Sequence, residues 1–234
     1  METQLQQQLE DLKSALLSMA ALVEEQIARA ITAHVERDVE LCDQVIAGDQ
    51  SIDAMELEID EQCIRLLALQ HPIARDLRFV AASMKITIDL ERLGDIAVNI
   101  AKKTKQLAGL PLLKPLVDLP RMADLSQSMV KDSLNAFVRG DEQLAMDVCD
   151  RDEEVNQLQD QIFEELLACM KEDSGSVPQA MQLIFISRHI ERLADHATNI
   201  AEGVVYFSEG RVIKHHASDD PNQSPTRPES DGPA

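Results

Sequence analysis

Apolar side chains near the start of the chain recur every three or four residues. Their steps of four, three, four, three and four residues match one face of an α-helix, which has about 3.6 residues per turn. We expect this face to pack against other helices and the helix to continue to about Ala47. The positions that define the face are Leu5, Leu9, Leu12, Leu16, Met19 and Val23.

The same helical periodicity continues along most of the chain. It is interrupted at a few positions that contain glycine or proline. Runs in which apolar and polar residues alternate, as they do in half-buried strands, are absent from the sequence, so the pattern predicts an all-α fold. After the first helix, the expected helices cover residues 51–69, 72–107, 121–149 with a candidate break at Gly140, 150–172 and 178–210.

The two halves of the chain are copies of each other. The segments ERLGDIAVNIA at 91–101 and ERLADHATNIA at 191–201 match at eight of eleven positions, one hundred residues apart. Because each copy has the order long helix, shorter helix, long helix, we expect two tandem three-helix bundles related by an internal repeat. The expected domains are residues 1–108 and 119–210, followed by a disordered acidic and proline-rich tail at 211–234.

Charge and composition exclude several classes of protein. With 42 acidic and 22 basic residues the formal net charge is −20, and a field of that sign repels the phosphate backbone of nucleic acids. No apolar run approaches the roughly 20 residues of a membrane span, and no signal peptide is recognisable at the start of the sequence. We therefore expect a cytoplasmic protein that neither binds nucleic acid directly nor spans a membrane.

Two pairs of acidic residues repeat in the same register on the last helix of each half. Glu91 and Asp95 are four residues apart, as are Glu191 and Asp195. Like charges at this spacing destabilise a helix by about 0.2–0.5 kcal/mol, so their repetition indicates a compensating cation. The alternative is a solvated acidic face that neighbouring arginine side chains neutralise.

The expected turn near residues 71–72 brings a second acidic pair opposite the first. In an antiparallel hairpin centred there, Asp49 and Asp53 face the neighbourhood of Asp95 and Glu91. Four carboxylates around one place suit a hard or borderline divalent or trivalent metal ion. The sequence therefore predicts a metal site between the second and third helices.

The second half offers a similar but poorer set of ligands. A turn near residue 175 places Asp152 and Asn156 near Asp195 and Glu191. Because Asn156 is a neutral amide where the first half has a carboxylate, we expect this site to bind metal more weakly.

These motifs together resemble the PhoU family, over residues from about 10 to 210. The resemblance rests on the D-x-x-x-D helix start, on QHPIARDLRFV at 70–80, on DLERLGDIAVNIA at 89–101 and on RHIERLADHATNIAEGVVYFSEG at 188–210. It implies a cytoplasmic, usually dimeric, all-α protein that represses phosphate-starvation signalling and modulates phosphate uptake. The implied partners are the ATPase subunit of a phosphate-specific ABC transporter and a phosphate-sensing histidine kinase, which would recruit the protein to the inner face of the membrane.

The resemblance also implies a metal centre, because some PhoU relatives carry multinuclear iron or zinc at paired acidic residues. It leaves the metal open among iron, zinc, manganese and magnesium. The positions onto which those pairs map are Asp49, Asp53, Glu91 and Asp95 in the first half, and Asp152, Glu191 and Asp195 in the second.

Two other functional classes compete with a regulator. A di-iron carboxylate enzyme in a helical bundle uses Glu-x-x-His pairs, and no histidine in this sequence has a glutamate three residues before it. We therefore expect a non-enzyme, with no catalytic residues. A metal-binding helical bundle with another function, a scaffold or a metal store, stays open as the alternative. We expect His34, His71 and His189 to lie at helix surfaces or boundaries.

Overall fold

The computed structural model describes residues 4–113 and 118–209, and within those ranges the chain is helical and contains no strand. The all-α fold of two repeated three-helix bundles is confirmed. The expected tail at 211–234 lies outside the described residues, and the domain limits at 108 and 119 stay predictions. The helices are α1 (Gln4–Glu36), α2 (Val39–Gln70), α3 (Ala74–Leu107), α4 (Asp118–Arg139), α5 (Glu142–Glu172) and α6 (Val177–Glu209), with a 3₁₀ turn at Ser174–Ser176 between the last two.

The first helix of each bundle ends earlier than the apolar pattern predicts. We expected the first helix to reach about Ala47, but it ends at Glu36, and the second begins well before the expected residue 51. Likewise, the fourth helix does not continue to Cys149 but ends at Arg139. The second helix of each bundle is therefore longer than expected, with 32 residues in α2 and 31 in α5.

An aspartate cap makes each of these breaks. Asp38 and Asp141 precede α2 and α5, and each side chain accepts a hydrogen bond from the backbone N–H three residues further on, at 2.9 and 3.0 Å. The residue before each cap has a left-handed φ, 57° at Arg37 and 63° at Gly140. Periodicity alone missed the first break because apolar spacing continues across it and no glycine or proline marks it.

The two bundles lie side by side and share one continuous hydrophobic core. Within each bundle all three helices contact one another, and α3 and α6 form the main contact between bundles, with a smaller contact between α1 and α4. The buried apolar residues of all six helices belong to a single cluster. Helices α2 and α5 therefore lie on opposite outer flanks of the molecule, away from the contact between bundles.

Helices α3 and α6 run antiparallel, and the beginning of α3 clamps the end of α6. Arg78 Nε donates a hydrogen bond to the carbonyl oxygen of Phe207 at 3.2 Å, and the guanidinium carbon of Arg75 lies 5.4 Å from the Phe207 ring centroid. The Phe207 ring also packs edge-on against Phe79 and Phe137, at centroid distances of 5.5 and 6.4 Å. These contacts fix the register of the two central helices.

Candidate functional site

A close approach between α2 and α3 sets the geometry of the first acidic cluster. A Cβ added at Gly94 would lie 2.9 Å from Ile52 Cδ1 and 3.7 Å from Asp49 Oδ1. Gly94 therefore faces Ile52 and Asp49, which is the register that an antiparallel hairpin turning near residues 71–72 produces. Only glycine lets the two helices come this close.

Acidic side chains gather around that crossing. Burial raises the pKa of Asp49, and the negative charges of Asp53 and Asp95 raise it further. Burial is also the largest cause of the raised pKa of Glu91, followed by the charge of Asp95, with smaller contributions from Asp53 and Glu56. The structure thus brings the four acids of the first half together, and adds Glu56, which sequence reasoning missed.

The second acidic cluster lies between α5 and α6. Burial raises the pKa of Glu191, and the charges of Asp195 and Asp152 raise it further. Burial also raises the pKa of Asp195. Asn156 Nδ2 donates a hydrogen bond to Asp152 Oδ2 at 3.0 Å, so the amide that replaces a carboxylate here also occupies one oxygen of its neighbour.

These raised pKa values make both clusters a cost to stability at neutral pH. A carboxyl group with a raised pKa in the folded state binds its proton more tightly there than in the unfolded chain. Stability contributed by these groups is therefore lost as the pH rises through the raised values. A cation bound between the carboxylates would remove this cost by neutralising their charge.

The donor chemistry of the clusters fits a hard cation, although the side chains are not arranged around one. Within residues 4–113 and 118–209, no three His, Cys, Asp or Glu side chains have the arrangement of a metal site. The carboxylates instead repel each other, as the raised pKa values of Asp49, Glu91 and Glu191 show. Such oxygen-only donors are those that hard divalent and trivalent ions prefer.

An arginine partly neutralises the first cluster. Arg92 Nε lies 3.4 Å from Glu91 Oε2, and its Nη1 lies 3.6 Å from Asp95 Oδ2. The side chain of Arg92 is 53% exposed, so solvent weakens these ion pairs. The alternative of an acidic face neutralised by arginine therefore stays open for this half.

Comparison with known proteins shows the family. The PhoU domain model matches residues 16–104 and again residues 119–204, so each bundle corresponds to one copy. The chain belongs to the PhoU family.

Individual PhoU proteins match along nearly their whole length. The phosphate-specific transport system accessory protein PhoU homolog of Aquifex aeolicus is 43% identical over 208 residues, which are 89% of this chain and 94% of that protein. The accessory protein PhoU of Serratia marcescens is 36% identical over 212 residues, 91% of this chain and 87% of that protein.

Solved PhoU structures match the fold closely. The crystal structure of PhoU from Pseudomonas aeruginosa is 38% identical, with a TM-score of 0.87, and the match covers 89% of this chain and all of that chain. The phosphate transport system regulatory protein PhoU from Streptococcus pneumoniae is 34% identical, with a TM-score of 0.84, and covers 90% of this chain and 99% of that one.

A partly buried polar contact joins the two PhoU repeats where α3 crosses α6. His196 Nδ1 lies 2.8 Å from Asp89 Oδ1, and each side chain is 16% exposed. Asn199 Nδ2 donates a hydrogen bond to the same oxygen at 3.4 Å. The carboxylate of one repeat therefore binds two polar side chains of the other, one of them His196.

Two histidines that we expected at helix surfaces or boundaries are mostly buried. Burial is the main cause of a lowered pKa, to about 4, for both His34 and His189. The His34 Nδ1 atom lies 3.1 Å from the hydroxyl oxygen of Thr104, whereas His189 Nδ1 is buried without a hydrogen-bond partner. His34 lies in the last turn of α1, at a helix boundary, whereas His189 lies in the interior of α6.

Gly48 lies inside α2, between the expected end of the first helix at about 47 and the expected start of the second at 51. A Cβ added there would come within 3.2 Å of Gln26 Oε1. Gln26 is on α1 and is 5% exposed. Gly48 therefore admits a buried amide from α1 beside Asp49, which no sequence pattern indicated.

Proposed function

We propose that this protein regulates phosphate transport and represses phosphate-starvation signalling when phosphate is abundant. The observation that carries the proposal is the match of both repeats to PhoU proteins named as accessory proteins of the phosphate-specific transport system. The match extends over about nine tenths of the chain and includes the acidic helices, so it is not confined to the packing core.

We further propose that the protein acts by binding, not by catalysis. Its partners would be the ATPase subunit of a phosphate-specific ABC transporter and a phosphate-sensing histidine kinase, met in the cytoplasm at the inner face of the membrane. No helix within residues 4–113 and 118–209 is long and apolar enough to cross a membrane, so attachment there would depend on those partners. We also expect a homodimer.

The acidic clusters support metal binding as part of this function. Asp49, Asp53, Glu91 and Asp95 would hold the more tightly bound ion, and Asp152, Glu191 and Asp195 the weaker one. The bound ion would supply positive charge that cancels the repulsion among the carboxylates. A metal store or scaffold would use the same residues, so the clusters alone do not separate these functions.

Deletion of the gene in its own host tests the proposal. With a phosphate-starvation reporter in phosphate-rich medium, we expect strong expression in the deletion strain and repression when the parent gene is restored. Protein levels are checked by immunoblot so that loss of the protein is not mistaken for loss of function. Unchanged reporter expression, together with altered cellular iron or manganese content, would instead support a metal store.

A further inference from the structure

Polar side chains able to bind an anion gather at one end of the α3–α6 contact. The ammonium nitrogen of Lys103 lies 4.5 Å from the ring centroid of Phe185. Arg188, His189 and Arg192 follow Phe185 by three, four and seven residues, which places them on the same side of α6. After burial, the positive charges of Arg192, Lys103 and Arg188 lower the pKa of His189, which agrees with their placement on this side of the contact.

The three cations are unpaired in a chain of net charge −20. Within residues 4–113 and 118–209, none of Lys103, Arg188 and Arg192 forms an ion pair with a carboxylate, whereas Arg92, Lys105, Arg121 and Arg151 each do. Glu191 is close enough for both arginines to lower its pKa, but it contacts neither. His189 Nδ1 is buried and also lacks a partner.

At the opposite end of the α3–α6 contact, a carboxylate occupies the position that corresponds to His189. There the residue equivalent to His189 is Asp89, one hundred positions earlier, and its carboxylate binds His196 and Asn199. Asn99 is the repeat equivalent of Asn199, and the antiparallel register places it near Arg188 and His189. At one end of the α3–α6 contact the Asp89 carboxylate supplies a negative charge. At the other end His189 replaces that carboxylate, among hydrogen-bond donors and cations.

We propose that an external oxyanion of the phosphate class binds between α3 and α6, held by Asn99, Lys103, Arg188 and Arg192. Two guanidinium groups can each offer a pair of parallel N–H donors to phosphate oxygens, and three positive charges match a dianion better than a single carboxylate. The acidic residues Glu191 and Asp195 act on the same arginines and oppose anion binding, which lowers the affinity of the site. This inference does not depend on the proposed function.

The source of the phosphate group is either free inorganic phosphate or a phosphorylated side chain of another protein. Calorimetric titration of the full chain distinguishes them, with inorganic phosphate in one arm and a phosphoserine peptide in the other. The unphosphorylated peptide is the control. Both arms are run in chelator at constant ionic strength, so that an ion in the acidic clusters cannot recruit the phosphate.

Three variants locate the binding. Arg192→Gln removes one donor pair and should weaken phosphate binding about tenfold. The matched control is Arg92→Gln, which changes the repeat-equivalent arginine and should leave binding unchanged. His189→Asp supplies the carboxylate that Asp89 supplies at the other end, and should abolish binding by occupying the site from within.

The results either support or overturn the site. The site is supported if phosphate or the phosphoserine peptide binds, and if Arg192→Gln weakens that binding while Arg92→Gln does not. The ligand that binds identifies the source of the phosphate group. Absence of binding in both arms overturns the site, as does equal loss in the two arginine variants. Circular dichroism confirms that each variant is folded, and if His189→Asp does not fold, Arg188→Gln replaces it with the same expected tenfold loss.

Discussion

The two bundles fill the same helix crossing with different pairs of residues. In the first, Gly94 lies against Ile52, while in the second the equivalent positions hold Ala194 and Val155. Alanine in place of glycine adds one carbon on α6, and valine in place of isoleucine removes one carbon on α5. This difference teaches that the repeat preserves the volume of the contact and not the identity of either residue.

Two charged positions also differ between the same two halves. Asp53 corresponds to Asn156, and Asp89 corresponds to His189. The caps Asp38 and Asp141 are unchanged, because the helices they start are common to both bundles. The first acidic cluster therefore has one carboxylate more than the second, and the two ends of the α3–α6 contact carry different polar side chains.

The largest change in stability is expected at the polar contact between the two bundles, where Asp89 of α3 binds side chains of α6. Asp89→Ala removes the acceptor of the partly buried His196 and of Asn199 at the surface, and should cost about 2–3 kcal/mol of unfolding free energy. Urea denaturation measures it. A double-mutant cycle between Asp89 and His196 should give a larger coupling than the equivalent cycle between His189 and Ile96, and equal couplings would contradict the contrast between the two ends.

A second contrast concerns the pH dependence of stability that His34 of the first bundle produces. Because the pKa of His34 is about 4 in the folded chain, the unfolded chain takes up a proton first as the pH falls below about 6.5. Stability should therefore fall on acidification. His34→Gln cannot titrate, so its loss of unfolding free energy between pH 7 and 5 should be about 2 kcal/mol smaller than the parent's.

The control for that measurement is the other bundle. The residue equivalent to His34 is Phe137, which has no proton to gain, so Phe137→Leu should change stability by the same amount at both pH values. Parallel pH profiles of the parent and His34→Gln would contradict the prediction for His34, because they would show that His34 binds its proton equally well in the folded and unfolded chains.

The third contrast tests the matched volumes at the helix crossing. Gly94→Ala places a Cβ against Ile52, and should destabilise the protein by about 1 kcal/mol despite the better helix propensity of alanine. Adding Ile52→Val makes the first crossing like the second and should restore stability. Thermal melts of the single and double variants decide it, and a double variant less stable than Gly94→Ala alone would refute the matching.

The smallest effect is expected from repulsion within the acidic clusters when no metal is bound. Asp95→Asn should raise stability by about 0.5 kcal/mol in chelator at low salt, and Asp195→Asn by less. The gain is small because Arg92 already contacts Asp95, at 3.6 Å. Added salt should shrink both gains, since screening weakens the repulsion that each variant relieves.

The helical fold and the acidic sets were predictable from the sequence because both depend on spacing along one helix. The apolar period predicted six helices, and the repeated Glu91/Asp95 pattern, with one turn placed near residue 71, predicted which acids gather. The repeat also contained a clue to the missed break, since Asp38 aligns with Asp141 next to Gly140.

What the sequence did not predict depends on contacts between helices that are far apart in the chain. Asp89 and His196 are 107 residues apart, and no local pattern indicates that they meet. The burial of His34 and the approach of Gln26 to Gly48 likewise follow from how α1 rotates against its neighbours. Alignment of the two repeats would have shown that His189 stands where the first repeat has Asp89. It would not have shown that His189 Nδ1 lacks a hydrogen-bond partner.

The claim that the two halves hold metal unequally is the centre of this account, and thermal melting with and without metal tests it most directly. The parent, Asp95→Asn and Asp195→Asn are stripped with chelator and melted with and without manganese or iron(II). Binding to the folded state at about one hundred times Kd stabilises by about 2.7 kcal/mol, which is about 5–10 °C for a chain of this size. We expect that gain in the parent, its near loss in Asp95→Asn, and a smaller loss in Asp195→Asn. Equal losses in the two variants, or no gain in the parent with any metal, would contradict the account and leave these carboxylates as a solvated or partner-binding acidic surface.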